Sequence, residues 1–512
     1  MKLQNALFFC IAVSFFGSLH GASQDFISQG PTPLNGPIYT PLTPLLPGAS
    51  VNQNGAIQAL AVNPSNSNNL YIEAASGGVW STSNFGASWT PLLDHQLNLS
   101  ISAIVFDPAD TTYQTLVAGT GITTSGANEV PNASGLYYTS NGGSSWAPLG
   151  AITFFNNSVS DLIVNGDTIL VGVSNGLFDG ALYVSTDKGG SFTAASTGGA
   201  GQLAPGPISS MRRSQQSINT IYAAVSSVSP SPFENTALYQ SLDNGSTWQP
   251  VFTQTQSPYI SSSDQSTIKV ATGPSESVAV LVQQDPTAGA PLVVYLSLDS
   301  GSTWNSLDVT SIENYIQANY AKSSISIDVV NPNIVYITGS TTPAYPGASP
   351  GTVYSLTYSN GTTTIADLIL GSDNSATHAD TRMSFPLLSG DLIVLSDGGI
   401  ALRTHASSNP AQGVWQGMNG QNLSTTELYS SAYDGNNHWI MTSSQDNGTC
   451  VQSVQNLPSY AQVFPGDGAV SLINDKTSES SSVYYFTMFN EDYPFKMISQ
   501  DIPTYFSFLL QA

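Results

Sequence analysis

The chain has 512 residues, with 33 Asp and Glu against 10 Lys and Arg, a formal net charge of −23. Charged residues are only 8% of the total, against about 25% in ordinary globular domains, while 40% are hydrophobic and glycine and proline number 45 and 30. So few cations point away from nucleic acid and from anionic membrane surfaces, the apolar content excludes a disordered acidic tail, and the length suffices for one large core or two.

Residues 1–22 read as an export signal. Lys2 precedes an apolar run from Ala6 to Phe16, and small residues then lead to a cleavage site after Gly21 or Ala22. That run is too short to span a bilayer, and no later stretch matches it. The mature chain is therefore expected to be secreted, or periplasmic in a Gram-negative host, with no membrane span. Cleavage removes Cys10 and leaves Cys450 alone, so no internal disulfide is expected. Residues 23–50 are rich in Pro and Gly and are expected to form an extended lead-in.

Beyond residue 50 the chain repeats. Five octamers align: TSNFGASW from Thr82, TSNGGSSW from Thr139, STDKGGSF from Ser185, SLDNGSTW from Ser241 and SLDSGSTW from Ser297. A weaker copy, TYSNGTTT, starts at Thr357. Each copy follows a strand-like run such as LYYTS or LYQSL and precedes a short one such as WAPL or WQPV. The third position (Asn84, Asn141, Asp187, Asp243, Asp299) can accept hydrogen bonds from turn N–H groups. The fifth is always Gly, which permits a positive φ. The eighth (Trp89, Trp146, Phe192, Trp248, Trp304) is an aromatic suited to filling a gap between strands. An element recurring in every unit is architectural, so these carboxylates are not expected to be catalytic. Four strands per unit of about 50 residues predict an all-β chain of propeller blades, about seven to nine of them over 51–512. A division into two propeller halves, about 51–320 and 321–512, also fits the length.

The octamers resemble the Asp-box, or BNR, repeats of sialidases, sortilin-type receptors, xyloglucan hydrolases and exported bacterial propellers. The stretch from Leu70 to Leu92 is similar to the first blade of exported BNR-repeat proteins described as glycosyl hydrolase-like. The similarity returns at THADTRMSF, VLSDGGIALRT, SSQDNGT and PGDGAV. Such a resemblance implies a propeller and no single reaction. Sialidases hold their substrate's carboxylate with three arginines and carry an Arg-Ile-Pro motif. Here the only arginines are Arg212, Arg213, Arg382 and Arg403, and that motif is absent. Xyloglucan hydrolases place an aspartate just before Gly-Gly in the first blade. The matching position here is Ala75, and the nearest carboxylate is Glu73.

Residues 377–470 carry polar signatures that the octamer template does not require: His378, Asp380, Arg382, Asp397, Asp446 and Asp467. They are expected to converge at one mouth of the ring as a ligand-binding face. Asp397, Asp446 and Asp467 form a candidate calcium site, since hard cations take oxygen ligands. The alternative is that their Asp-Gly and Asn-Gly pairs are tight turns. No cofactor is otherwise required. Together these features predict a binding or scaffold module for a glycan or extracellular protein, with a glycoside hydrolase as the alternative.

Overall fold

The computed structural model describes residues 34–35, 49–50 and 53–498, except 122–132, 176–179, 197, 199–200, 227–235, 261–265, 285–291, 314–315, 318–322, 342–349, 453–459, 465, 479–480, 489–494. The signal segment and the last residues of the chain lie outside this set. Among the described residues the chain is all-β, its only helical element a 3-10 turn at Pro410–Gln412, and no helix is long and apolar enough to cross a membrane.

Seven sheets, each built from four strands consecutive in the chain, occupy residues 57–91, 101–149, 159–194, 208–252, 266–307, 324–367 and 381–417. We number these blades one to seven; in blade six a two-residue strand, Ile316–Gln317, adds to the second strand. The first strands are Ile57–Val62, Ile101–Phe106, Val159–Asn165, Ile208–Arg213, Ser266–Thr272, Ser324–Ile327 and Thr381–Pro386. Each lies beside the next, and the last lies beside the first, which makes a ring. Seven apolar clusters fill the seven gaps between neighbouring blades. The cluster between blades seven and one joins Ile393, Leu395 and Met418 to Ile57, Ile72 and Trp89.

A further sheet follows the ring: Leu428–Asp434, Trp439–Ser444, Gly448–Gln452 and Tyr460–Phe464, with Leu34–Asn35 added in parallel at its edge. Then comes a three-stranded sheet, Gly468–Ser478, Ser481–Met488 and Phe495–Ile498. These sheets, blades eight and nine, pack on each other through Met441, Val451, Tyr484 and Phe486. Blades five and six, on either side of residue 320, are ring neighbours, and the seventh blade ends at Gly417, before the strand Leu428–Asp434.

The five octamers fold into one turn, between the third and fourth strands of blades one to five. The hydroxyl at position one donates to Oδ1 of position three at 2.7–2.8 Å and accepts the glycine N–H of position five at 2.8–3.1 Å. That Oδ1 also accepts the backbone N–H of position seven at 2.7–3.0 Å. The remaining atom of position three meets the position-seven hydroxyl. As aspartate Oδ2 it accepts, at 2.6–2.7 Å, and as asparagine Nδ2 it donates, at 2.8–2.9 Å. Either residue thus closes the turn. The backbone N–H of Ser191 and its neighbours hold the Asp187 carboxyl down at about 2.

The position-five glycines have φ of 84–92°, and at Gly86, Gly143, Gly189 and Gly245 a Cβ would also strike the preceding blade. On Gly245 it would lie 2.5 Å from Leu170 Cδ2, and on Gly86 2.8 Å from the carbonyl oxygen of Met418. The aromatics act between blades as well: Trp304 Nε1 donates to Val251 O of blade four at 3.1 Å. The weak sixth copy is a different structure. Asn360 and Gly361, with φ of 49° and 83°, form a two-residue hairpin between Ser359 and Thr362, the geometry of a type I′ turn. Blade seven has no octamer either. There the buried Arg403 donates to the carbonyls of Leu368, Leu370, Thr404 and Pro410, and Trp415 Nε1 donates to Leu368 and Ile369 of blade six.

The first strands share a second device. In blades one, two, three, four and seven the register slips at the second residue of the first strand, as at a β-bulge. In three of them that residue is a serine whose hydroxyl reaches the first strand of the next blade. Ser102 donates to Val159 O at 2.6 Å, Ser160 to Ile208 O at 2.5 Å and Ser209 to Ile268 O at 2.7 Å.

Closure uses the segment after blade seven. Trp89 donates through its backbone N–H to Gln421 O at 2.9 Å and through Nε1 to Met418 O at 3.0 Å. Asn54 donates its backbone N–H to Gly398 O at 2.8 Å and Nδ2 to Leu423 O, while Oδ1 accepts from Thr425 N and Thr426 Oγ1. A Cβ on Gly55 would lie 1.7 Å from Thr425 O, so only glycine fits there.

Replacing the buried Trp248 by Ala is expected to destabilise the protein by about 3–5 kcal/mol, and the half-buried Trp304 by less. Ser160→Ala removes one inter-blade hydrogen bond and is expected to cost about 1 kcal/mol. Chemical denaturation reads both, and an unshifted midpoint for Trp248→Ala contradicts the inter-blade role.

Candidate functional site

Arg382 occupies the bulge position of blade seven, the place where Ser102, Ser160 and Ser209 stand in their blades. A guanidinium is too long for the short hydroxyl contact. Its Nε instead donates to Asp397 Oδ1 in the turn between the strands Leu392–Ser396 and Gly399–Arg403. Both side chains are buried, at 4% and 1% exposure. His378, on the segment leading into blade seven, lies against Gly398, where a Cβ would fall 2.4 Å from its own Cβ.

Blade eight brings the rest. Its turn after Trp439–Ser444 carries Gln445, Asp446 and Asn447. Asn447 Nδ2 donates to Asp397 O at 3.2 Å, and Asp446 N donates to Asp467 Oδ1 at 2.9 Å. Asp446 and Asp380, both at positive φ, lie within the electrostatic reach of Arg382. The structure thus gathers His378, Asp380, Arg382, Asp397, Asp446 and Asp467 into one region. It is the seam where blades seven, one and eight meet, and Arg382 within it also lines the central cavity of the ring. The octamer residues lie apart from it, in their outer turns.

The charges at the seam largely answer one another. Burial alone would lower the Arg382 pKa, but Asp397, then Asp446 and Asp380, hold it above its usual value. Glu73, in the second strand of blade one, is fully buried, and neither carboxyl oxygen has a hydrogen-bond partner. Burial pushes its pKa well above the carboxylate range, with Arg382 only partly opposing. Among the described residues no three His, Cys, Asp or Glu side chains, Asp397, Asp446 and Asp467 included, are grouped so as to hold a metal ion. Arg382 already supplies the cation beside Asp397, and Asp467 Oδ1 is taken by a backbone N–H. Cys450 is buried, and burial pushes its thiol up to about 12, as for a packed residue.

Two further residues belong to this face and escape a motif-based reading. Tyr429, 54% exposed, stands at the slipped register position of the first strand of blade eight, Leu428–Asp434. Its hydroxyl donates to Gln445 Oε1 at 2.8 Å. Tyr433 is exposed on the same strand. The signal was an apolar residue preceding a special one. Aligning the pairs Ile101-Ser102, Val159-Ser160 and Ile208-Ser209 with Leu428-Tyr429 marks Tyr429 as the exception.

No family model matches the chain, and no curated protein matches it. Solved structures do. An ancestral GH74 enzyme matches 88% of this chain with a TM-score of 0.58 at 17% identity. The GH74 xyloglucanase from Xanthomonas campestris matches 88% with a TM-score of 0.60 at 15% identity. This chain spans 60% of the length of the first and 67% of the second. At such identity the likeness shows a common propeller fold.

Glu73 has a pH signature. Its folded-state pKa lies above the unfolded value, so the native state loses stability as pH rises above the ordinary glutamate pKa. Below that pKa both states are protonated and the loss disappears. Glu73→Gln is expected to raise neutral-pH stability by about 1–3 kcal/mol, with the advantage shrinking toward pH ~4. Melts across this range check it, and an advantage independent of pH contradicts a raised pKa.

Proposed function

We propose that this chain is an exported propeller that binds a neutral glycan at the seam face, without a cofactor. The observation that carries this reading is the exposed Tyr429 ring, hydrogen-bonded to Gln445 beside the half-buried Asp446 and Asp467. An aromatic face beside fixed polar groups suits a sugar, whose C–H faces stack while its hydroxyls take directed hydrogen bonds. Neutrality follows from charge, since −23 on the chain repels polyanions at long range. Export rests on the signal-like first 22 residues.

A glycoside hydrolase is the second reading, favoured by one observation: a first-blade carboxyl with a raised pKa, Glu73, on a fold shared with GH74 enzymes. A general acid of this kind needs contact with the glycosidic oxygen and a second carboxyl across the bond. Glu73 has no exposed surface, the buried Asp397 is tied to Arg382, and Ala75 carries no carboxyl. Binding is therefore the better reading.

A screen of immobilised neutral polysaccharides, with reducing-sugar release measured in parallel, separates the two. Binding without release is expected. Tyr429→Ala is expected to weaken binding about tenfold, the equivalent of ~1.4 kcal/mol, with the melting temperature unchanged. Sugar release by the wild type that Glu73→Gln abolishes would establish the hydrolase instead.

A further inference from the structure

The first strands of the ring line a central cavity of about 620 Å³. One sector of its wall is charged. Asp161 on blade three, Arg212 on blade four and Lys269 on blade five follow one another around it. Asp161 is occupied by the scaffold: it accepts the backbone N–H groups of Leu162 and Met211 at 3.0 and 2.8 Å, and Arg212 Nη1 at 2.8 Å. Arg212 Nη1 also donates to Met211 O at 2.6 Å, while its Nε and Nη2 donate to no described residue. Lys269 Nζ makes one long hydrogen bond, 3.3 Å to Ser209 O. Arg382 also reaches this wall but is neutralised by Asp397.

The wall therefore carries one cation more than its anions can balance, in a chain whose net charge is −23. The nearby Ser160 and Ser209 hydroxyls donate to inter-blade carbonyls, and among the described residues the Lys269 ammonium is bonded to the Ser209 carbonyl alone. Burial pushes the Lys269 ammonium down to about 8, with Asp161 opposing and the Arg212 charge adding to the fall. Such a group is stabilised by an added anion.

We propose that this sector of the central cavity binds a small oxyanion, a carboxylate or phosphate, between the Nε and Nη2 groups of Arg212 and the Lys269 ammonium. A guanidinium edge with two unused donors matches two oxygens of such a group, and the recessed wall, with Lys269 only partly exposed, screens the pair less than bulk water would. The site is separate from the seam and does not depend on the glycan reading.

Isothermal titration of the full mature chain with phosphate, succinate, glucuronate and neutral glucose tests this. At least one anion is expected to bind with unit stoichiometry and glucose not at all; the three anions distinguish phosphate from carboxylate sources. Lys269→Met is expected to weaken that binding at least tenfold, and Lys269→Arg to keep it within about threefold, with Tyr429→Ala indistinguishable from wild type. Should Lys269→Met fail to fold, the wild type and Lys269→Arg still decide through the stoichiometry and the anion-over-glucose preference. No anion binding to the wild type, or equal binding by wild type and Lys269→Met, overturns the proposal.

Discussion

A ring of sheets stands or falls on how each sheet holds the next, because a propeller has no single core. Here each gap is filled by its own apolar cluster, and two polar devices set the spacing. Near the axis, serine hydroxyls reach across to the following strand's carbonyls. At the rim, the octamer turn presses its glycine against the preceding blade. Both act on backbone atoms, so they tolerate wide variation in the strands between them. The hydroxyl contacts, individually worth about 1 kcal/mol, matter through geometry: a donor of fixed length fixes the distance between neighbouring first strands.

The site grows from an exception to this scheme. Where blade seven meets blade one, Arg382 replaces the serine, and a buried ion pair with Asp397 takes over the position. A buried pair of this kind is weak evidence for stability, since desolvation offsets much of its attraction. It does impose orientation. It turns the Asp397 loop toward blade eight, where Asn447 holds its carbonyl and the acidic turns assemble. The polar residues gather at the closure seam because closure is the one place where repeat symmetry is already broken.

Much of this was legible in the residues. The octamers mark five rim turns, and Asp and Asn interchange at position three because either closes the same hydrogen-bond loop. The polar signatures of 377–470 do come together in space. Three things were not legible. The weak sixth copy keeps the position-five glycine but has Ser359 in place of Asp or Asn and Thr364 in place of the aromatic, and it folds as a plain hairpin. The boundary between ring and second unit is a matter of which first strands touch, and no composition shift marks it. The burial of Glu73 also follows from inter-blade packing, and a glutamate at the end of a short strand reads in sequence as a solvent-facing one.

The closure contacts also set the order in which the molecule can be completed. Trp89 is joined to Met418 across 329 positions, and Asn54 to Leu423 across 369. Contacts so distant in sequence slow folding, because the loop entropy is lost before they form. A chain emerging from its N-terminus delivers blade one first and the segment that covers it almost last. Until then the indole of Trp89 has no wall on one side, and the open edge of blade one remains available to strangers.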